Sequence, residues 1–216
     1  VNSPRAALIW RAVFALIGWA TLGLQYGLML AGSDRGPFEL TLNFFSYFTI
    51  LTNVLVAVAM TLPVVAANRP AGRWAASEGV RACVAMYAVV VGLVYHFLLH
   101  ATWNPQGWSL IANVGLHYLM PTAILLDWLM FTPKGRLRWS DAPKWLAFPL
   151  TYGAWTVIHG LAVDWWPYWF VDVSELGWLR AGAYFGGLLV FFLAVGLIVV
   201  AIDRTLGRRD RSRASA

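Results

Sequence analysis

Charge is what this sequence has least of. Asp, Glu, Lys and Arg make up 12% of its 216 residues, against about 25% in a soluble domain. So few charges cannot coat a water-facing surface, which excludes a soluble globule of this length. Cysteine is nearly missing too: Cys83 stands alone, which excludes an intramolecular disulfide and a cysteine-rich metal site. It reads as a small packing residue near a helix end. No long hydrophilic stretch leaves room for a soluble domain. No internal repeat is found, which argues against a transporter built from duplicated halves.

Apolar residues dominate instead, at 60% of the chain. They fall into six runs, 8–31, 41–67, 79–101, 109–131, 143–162 and 179–203, each long enough to cross a bilayer at about 1.5 Å per residue. The first run follows Arg5 and Arg11 as a leader's apolar stretch would. It far exceeds the usual 7–15 residues or so, and reads as a retained helix. The expected fold is all-α and polytopic. Residues 1–206 form a single six-helix transmembrane domain, and 207–216 a short, basic, disordered tail.

The formal net charge of +6 could point to nucleic acid, but its distribution explains it otherwise. With both termini cytoplasmic, fourteen of the sixteen basic residues lie inside. They are Arg5 and Arg11; Arg69, Arg73 and Arg81; Lys134, Arg136, Arg138 and Lys144; and the arginines from Arg204 onward. Only Arg35 and Arg180 fall outside. Such a bias over short loops sets orientation, and it favours anionic headgroups rather than a nucleic-acid partner.

On that map Thr49 and His117 lie at equal depth, each eight residues into its apolar run. All four histidines, His96, His100, His117 and His159, fall in the outer half. Asn53 follows Thr49 by four, Asn113 precedes His117 by four, and His100 follows His96 by four. Residues so spaced share a helix face, and ionisable groups in a membrane generally face the bundle interior. Plainer readings stand beside these. Thr49 could bond the carbonyl of Phe45, the asparagines could be interhelical glue, and His96 could be a core histidine. His100 and His159 could simply be wet at the interface. Asp127, near the inner boundary, is expected to meet Lys134 or Arg136. Pro121 removes the amide that would bond the carbonyl of His117, so a kink is expected there.

An imidazole with an ordinary pKa of about 6.5 can take a proton from a hydroxyl at neutral pH. Threonine becomes a nucleophile when such a base is within about 3 Å. A tetrahedral intermediate then needs donors for its oxyanion, for which Asn53, Asn113 and His96 are candidates. The loop Asp164–Val173, with Trp166, Tyr168 and Trp169, reads as an interfacial aromatic belt or as a lid over a lipid-accessible cleft.

Phe44-Phe45-Ser46-Tyr47-Phe48-Thr49, Thr52-Asn53, Tyr95-His96, His117-Tyr118-Leu119-Met120-Pro121 and Trp166-Pro167-Tyr168-Trp169-Phe170-Val171-Asp172 carry a resemblance. They resemble the androgen-induced and androgen-dependent TFPI-regulating protein family, and more closely its bacterial "Pr-six-Pr" integral membrane branch, over about residues 8–203. The resemblance implies a threonine hydrolase of fatty acid esters of hydroxy fatty acids, with Thr49 as nucleophile and His117 as general base. It implies no metal or cofactor, membrane lipids as surroundings, a lipid ester as substrate, and a bacterial inner membrane as location. A non-catalytic lipid-binding or transport protein, and a histidine-ligated haem or metal protein, are the alternative readings.

Overall fold

The computed structural model describes residues 4–214, with side chains through Arg208. Among the described residues the secondary structure is helical and no strand is present. Six helical segments are long and apolar enough to cross a membrane: Pro4–Ala31, Phe48–Val65, Glu78–Thr102, Gly107–Phe131, Asp141–Val163 and Val173–Arg208. The protein is an all-α, multi-pass membrane protein. Its contacts gather into two compact units, one of residues up to Leu137 together with those from Asp203 onward, the other of 138–202.

In the first unit, α1 (Pro4–Ala31) leads to a short α2 (Pro37–Phe44), which begins on a proline already set for a helical first turn. The apolar run expected to be one helix from 41 breaks at Phe45–Tyr47. Tyr47 is extended (φ −85°, ψ 128°), and α3 (Phe48–Val65) starts after it. The break places Thr49 in the first turn of α3 rather than in mid-helix. After α4 (Pro70–Ala76) comes α5 (Glu78–Val94), which continues into a π-helical turn, Tyr95–Leu99. The next span holds α6 (Gly107–Val114), a second π turn, Gly115–Leu119, and α7 (Met120–Phe131). The second π turn ends just before Pro121, which has no amide to give the carbonyl of His117, so the helix widens its register where that bond is missing.

α1 packs on α3 and α5 packs on α7. Trp19 Nε1 donates to Thr61 Oγ1 at 3.0 Å and Trp10 Nε1 to the carbonyl of Ala123 at 3.2 Å, so two indoles of α1 tie it to α3 and α7. The end of this unit away from Thr49 holds an ion cluster. Asp127, fully buried, accepts from Arg11 Nε at 2.9 Å and pairs with Arg81. Arg81, also fully buried, donates to the carbonyl of Ala59 at 2.9 Å. This corrects the expected pairing of Asp127 with Lys134 or Arg136. Lys134 instead donates to the carbonyls of Trp128 and Thr132, and Arg136 pairs with Glu78 at 2.9 Å. Arginines inside the apolar runs cannot leave the bilayer by lengthening a loop, so they take the nearest buried carboxylate.

The second unit contains α8 (Asp141–Lys144), α9 (Ala147–Val163) and most of α10 (Val173–Ala214), which bends at Gly177 (φ 71°, ψ 161°). Within it α9 and α10 meet closely at Gly153, where a β-carbon would lie 2.3 Å from Phe185 Cζ. α10 runs helically through Ala214. Residues 207–214 therefore continue the helix where a disordered tail was expected, and 215–216 lie outside the described residues. Adding residues to an existing helix needs no new nucleus, and arginine is a good helix former.

Candidate active site

Thr49 and His117 come together in the first unit. Thr49 Oγ1 lies 3.4 Å from His117 Nε2, a few tenths of an ångström beyond a formed hydrogen bond. Their chain neighbours pin them: Ile50 and Leu116 share one apolar cluster with Leu22, Phe44 and Ala57. Asn53 stitches the two segments directly. Its amide nitrogen donates to the carbonyl of Thr49 at 2.8 Å and to that of Leu116 at 3.1 Å.

The other ring nitrogen of His117 fixes the tautomer. Nδ1 lies 3.0 Å from the carbonyl of Asn113, and a carbonyl only accepts, so Nδ1 carries the proton. Neutral His117 then presents its lone pair on Nε2, toward Thr49. No carboxylate is needed to orient the ring, because a main-chain carbonyl one turn back does it. Tyr95 stacks on the imidazole, with ring centroids 3.9 Å apart and planes 22° apart. The Tyr95 hydroxyl accepts from Asn113 Nδ2 at 2.7 Å. Both π turns therefore carry side chains of this cluster, and such turns recur at functional sites.

Close packing makes the arrangement fit. A β-carbon on Gly115 would lie 2.5 Å from Thr21 Cγ2, so α1 can press against the start of the second π turn. Thr49 occupies the first turn of α3, where amides lack intrahelical acceptors. Leu51 N–H reaches back to the carbonyl of Tyr47 at 3.1 Å.

The remaining sequence candidates lie differently. His96 is exposed, and its Nδ1 is 3.2 Å from the Tyr118 hydroxyl. His100 is exposed as well, its ring 5.9 Å from that of His96. Among the described residues no three His, Cys, Asp or Glu side chains converge as a metal-ligand set. His159, in the second unit, is only 4% exposed and stacks on Trp155 with ring centroids 5.5 Å apart. The wet interfacial histidine expected there is thus a histidine packed among tryptophans. In the same unit Trp166 covers Gly160, Tyr168 stacks on Phe170, and Trp169 meets Tyr184 edge-on.

Tyr95 escaped the sequence reading as a site residue, because an aromatic in an apolar run reads as core. The one signal was its place directly beside His96. No family model matches the chain, and neither a curated protein nor a solved structure matches it.

Proposed function

We propose that this membrane protein is a lipid ester hydrolase in which Thr49 is the nucleophile and His117 the general base. One observation carries the reading: Thr49 Oγ1 lies 3.4 Å from His117 Nε2 while Nδ1 of the same ring is held by the Asn113 carbonyl. A base needs its lone pair aimed at the hydroxyl and its opposite nitrogen anchored. The resemblance to membrane threonine hydrolases supports the same two roles.

In the first step His117 Nε2 takes the Thr49 proton as Oγ1 bonds to the ester carbonyl carbon. The carbonyl π electrons move to oxygen, giving a tetrahedral oxyanion. The positive end of α3 lies beside Thr49 and favours that charge; the first-turn amide of Ile50 adjoins the nucleophile. Collapse expels the alkoxide, which recovers the proton from Nε2 and leaves as the alcohol. Water, deprotonated by His117, then attacks the acyl-threonine. Carboxylic acid departs and Thr49 regains its proton. The substrate is a fatty acyl ester drawn from the surrounding lipid, in the cell membrane of a bacterium.

The test uses the purified protein in lipid nanodiscs. A fluorophosphonate probe is expected to modify wild type at Thr49, located by peptide mass spectrometry, and long-chain esters are expected to be hydrolysed. Thr49→Ala and His117→Ala should abolish both signals. Folded wild type that neither reacts with the probe nor hydrolyses any long-chain ester sinks the proposal.

A further inference from the structure

Beside the first-turn amides of α3, a second donor to the oxyanion has to come from a side chain near His117, and the three candidates from the sequence already have partners of their own. Both amide protons of Asn53 go to main-chain carbonyls, those of Thr49 and Leu116. His96 is exposed and partnered by Tyr118. Asn113 gives an amide proton to Tyr95. Tyr95 is different. Its hydroxyl accepts that bond, so its own proton is still to be donated, and no acceptor for it occurs among the described residues.

We propose that Tyr95 is a third catalytic residue, whose hydroxyl donates a hydrogen bond to the oxyanion formed when Thr49 attacks an ester. The inference rests on the hydrolase reading above. Three features of the cluster favour it. Tyr95 is 3% exposed, and a donor shielded from water stabilises charge far more than a wet one. The stack on His117 holds the ring beside the base. Accepting from Asn113 polarises the hydroxyl and makes it a stronger donor.

Turning the Asn113 amide end for end would let it accept the Tyr95 proton instead. That orientation buries an amide N–H₂ where the carbonyl oxygen now lies. In the present one Asn113 Oδ1 is the atom without a partner. A buried acceptor left over is more common than buried donors left over, so the orientation with Tyr95 as acceptor is preferred. The chemistry balances without Tyr95 losing its proton. It stabilises the oxyanion by a hydrogen bond and keeps its O–H bond throughout.

The experiment compares Tyr95→Phe, Tyr95→Leu and Asn113→Leu with wild type, in nanodiscs, on one chromogenic long-chain acyl ester. Tyr95→Phe keeps the stack and loses only the oxygen. Its kcat is expected to fall about 10²-fold or more, with KM within about 3-fold. Tyr95→Leu should be no slower than several-fold below Tyr95→Phe. Asn113→Leu leaves the tyrosine in place but removes its donor, and should lower kcat roughly 10-fold. Tyr95→Phe with kcat within about 3-fold of wild type, beside a slow Tyr95→Leu, would assign Tyr95 to packing and overturn the proposal. Where Tyr95→Phe fails to elute as a monodisperse species, Asn113→Leu decides: an unimpaired kcat overturns it. Inert wild type would instead sink the hydrolase reading, so the two failures are distinct.

Discussion

Gly92 lies against the main-chain carbonyl of His117, and a β-carbon there would come within 2.9 Å of that oxygen. Pro121 has removed the amide an α-helix would have given this carbonyl. A bare glycine on α5 lies beside it, and one turn further on, in the π turn that follows α5, Tyr95 reaches its stack on the imidazole. Gly92→Ala is therefore expected to push the two spans apart at the site, costing about 1–3 kcal/mol as overpacking does and slowing ester hydrolysis. Gly79, near the start of the same helix, meets nothing within 4 Å, so Gly79→Ala serves as the control. Thermal unfolding and initial rates measured on both variants check the claim; equal behaviour of the two would remove the role given to Gly92.

Asn53 holds Thr49 to the His117 segment through two main-chain carbonyls. Asn53→Leu keeps the size and removes both bonds. Interhelical bonds of this kind in membranes are worth about 1–2 kcal/mol or less, so the variant should still fold at 25 °C. Hydrolysis should nonetheless drop by more than the stability change implies, because the nucleophile and base are no longer tied. Activity that simply tracks the folded fraction would make Asn53 a structural brace alone. Thr49→Ser, which keeps the hydroxyl and loses only the methyl group, is expected to retain measurable turnover.

The six spans were legible because long apolar runs report membrane-crossing helices directly. The approach of Thr49 to His117 was legible only as matched depth; their 3.4 Å separation depends on Asn53 and on small residues such as Gly115, whose partners lie far off in the chain. The break at Phe45–Tyr47 was hidden because Phe44-Phe45-Ser46-Tyr47 is aromatic throughout and carries no glycine or proline stop. Arg11 and Arg81 read from sequence as basic residues of the inner face, since a charge count cannot see a carboxylate that is distant along the chain, 116 residues away for Arg11. Asn113, four residues before His117, reads from sequence as a face-sharing side chain, yet it is its carbonyl that orients the ring.

Asp127 balances two buried arginines. Removing one partner of such a cluster leaves uncompensated charge out of water and typically costs about 3–5 kcal/mol, whereas replacing the whole set with apolar groups can be neutral. Asp127→Ala should therefore unfold at much lower temperature than wild type. The triple variant Asp127→Leu, Arg81→Met, Arg11→Met should recover most of the loss. A triple variant less stable than Asp127→Ala would show that the cluster contributes net attraction rather than mutual compensation.

Asp203, fully buried near the end of α10, clasps the loop that follows α7. Its Oδ2 accepts from the main-chain amides of Gly135 at 2.9 Å and Leu137 at 3.0 Å. Arg204 adds a bond to the carbonyl of Leu137 at 3.2 Å, and Gly207 lets the helix approach so closely that a β-carbon would lie 2.3 Å from Gly135 Cα. A carboxylate held by two amides gives charge-assisted bonds, stronger than neutral ones. Asp203→Ala leaves both amides without an acceptor and should release the loop while the distant Thr49–His117 pair stays intact. Limited proteolysis at Lys134, Arg136 and Arg138 should then accelerate by at least roughly 10-fold, the equivalent of about 1.4 kcal/mol in opening, with fluorophosphonate labelling of Thr49 unchanged. Gly207→Val should give the same proteolysis through a clash instead of a lost bond. If both variants resist protease as wild type does, the loop is held by its own turn and by Lys134, and Asp203 is not its clasp.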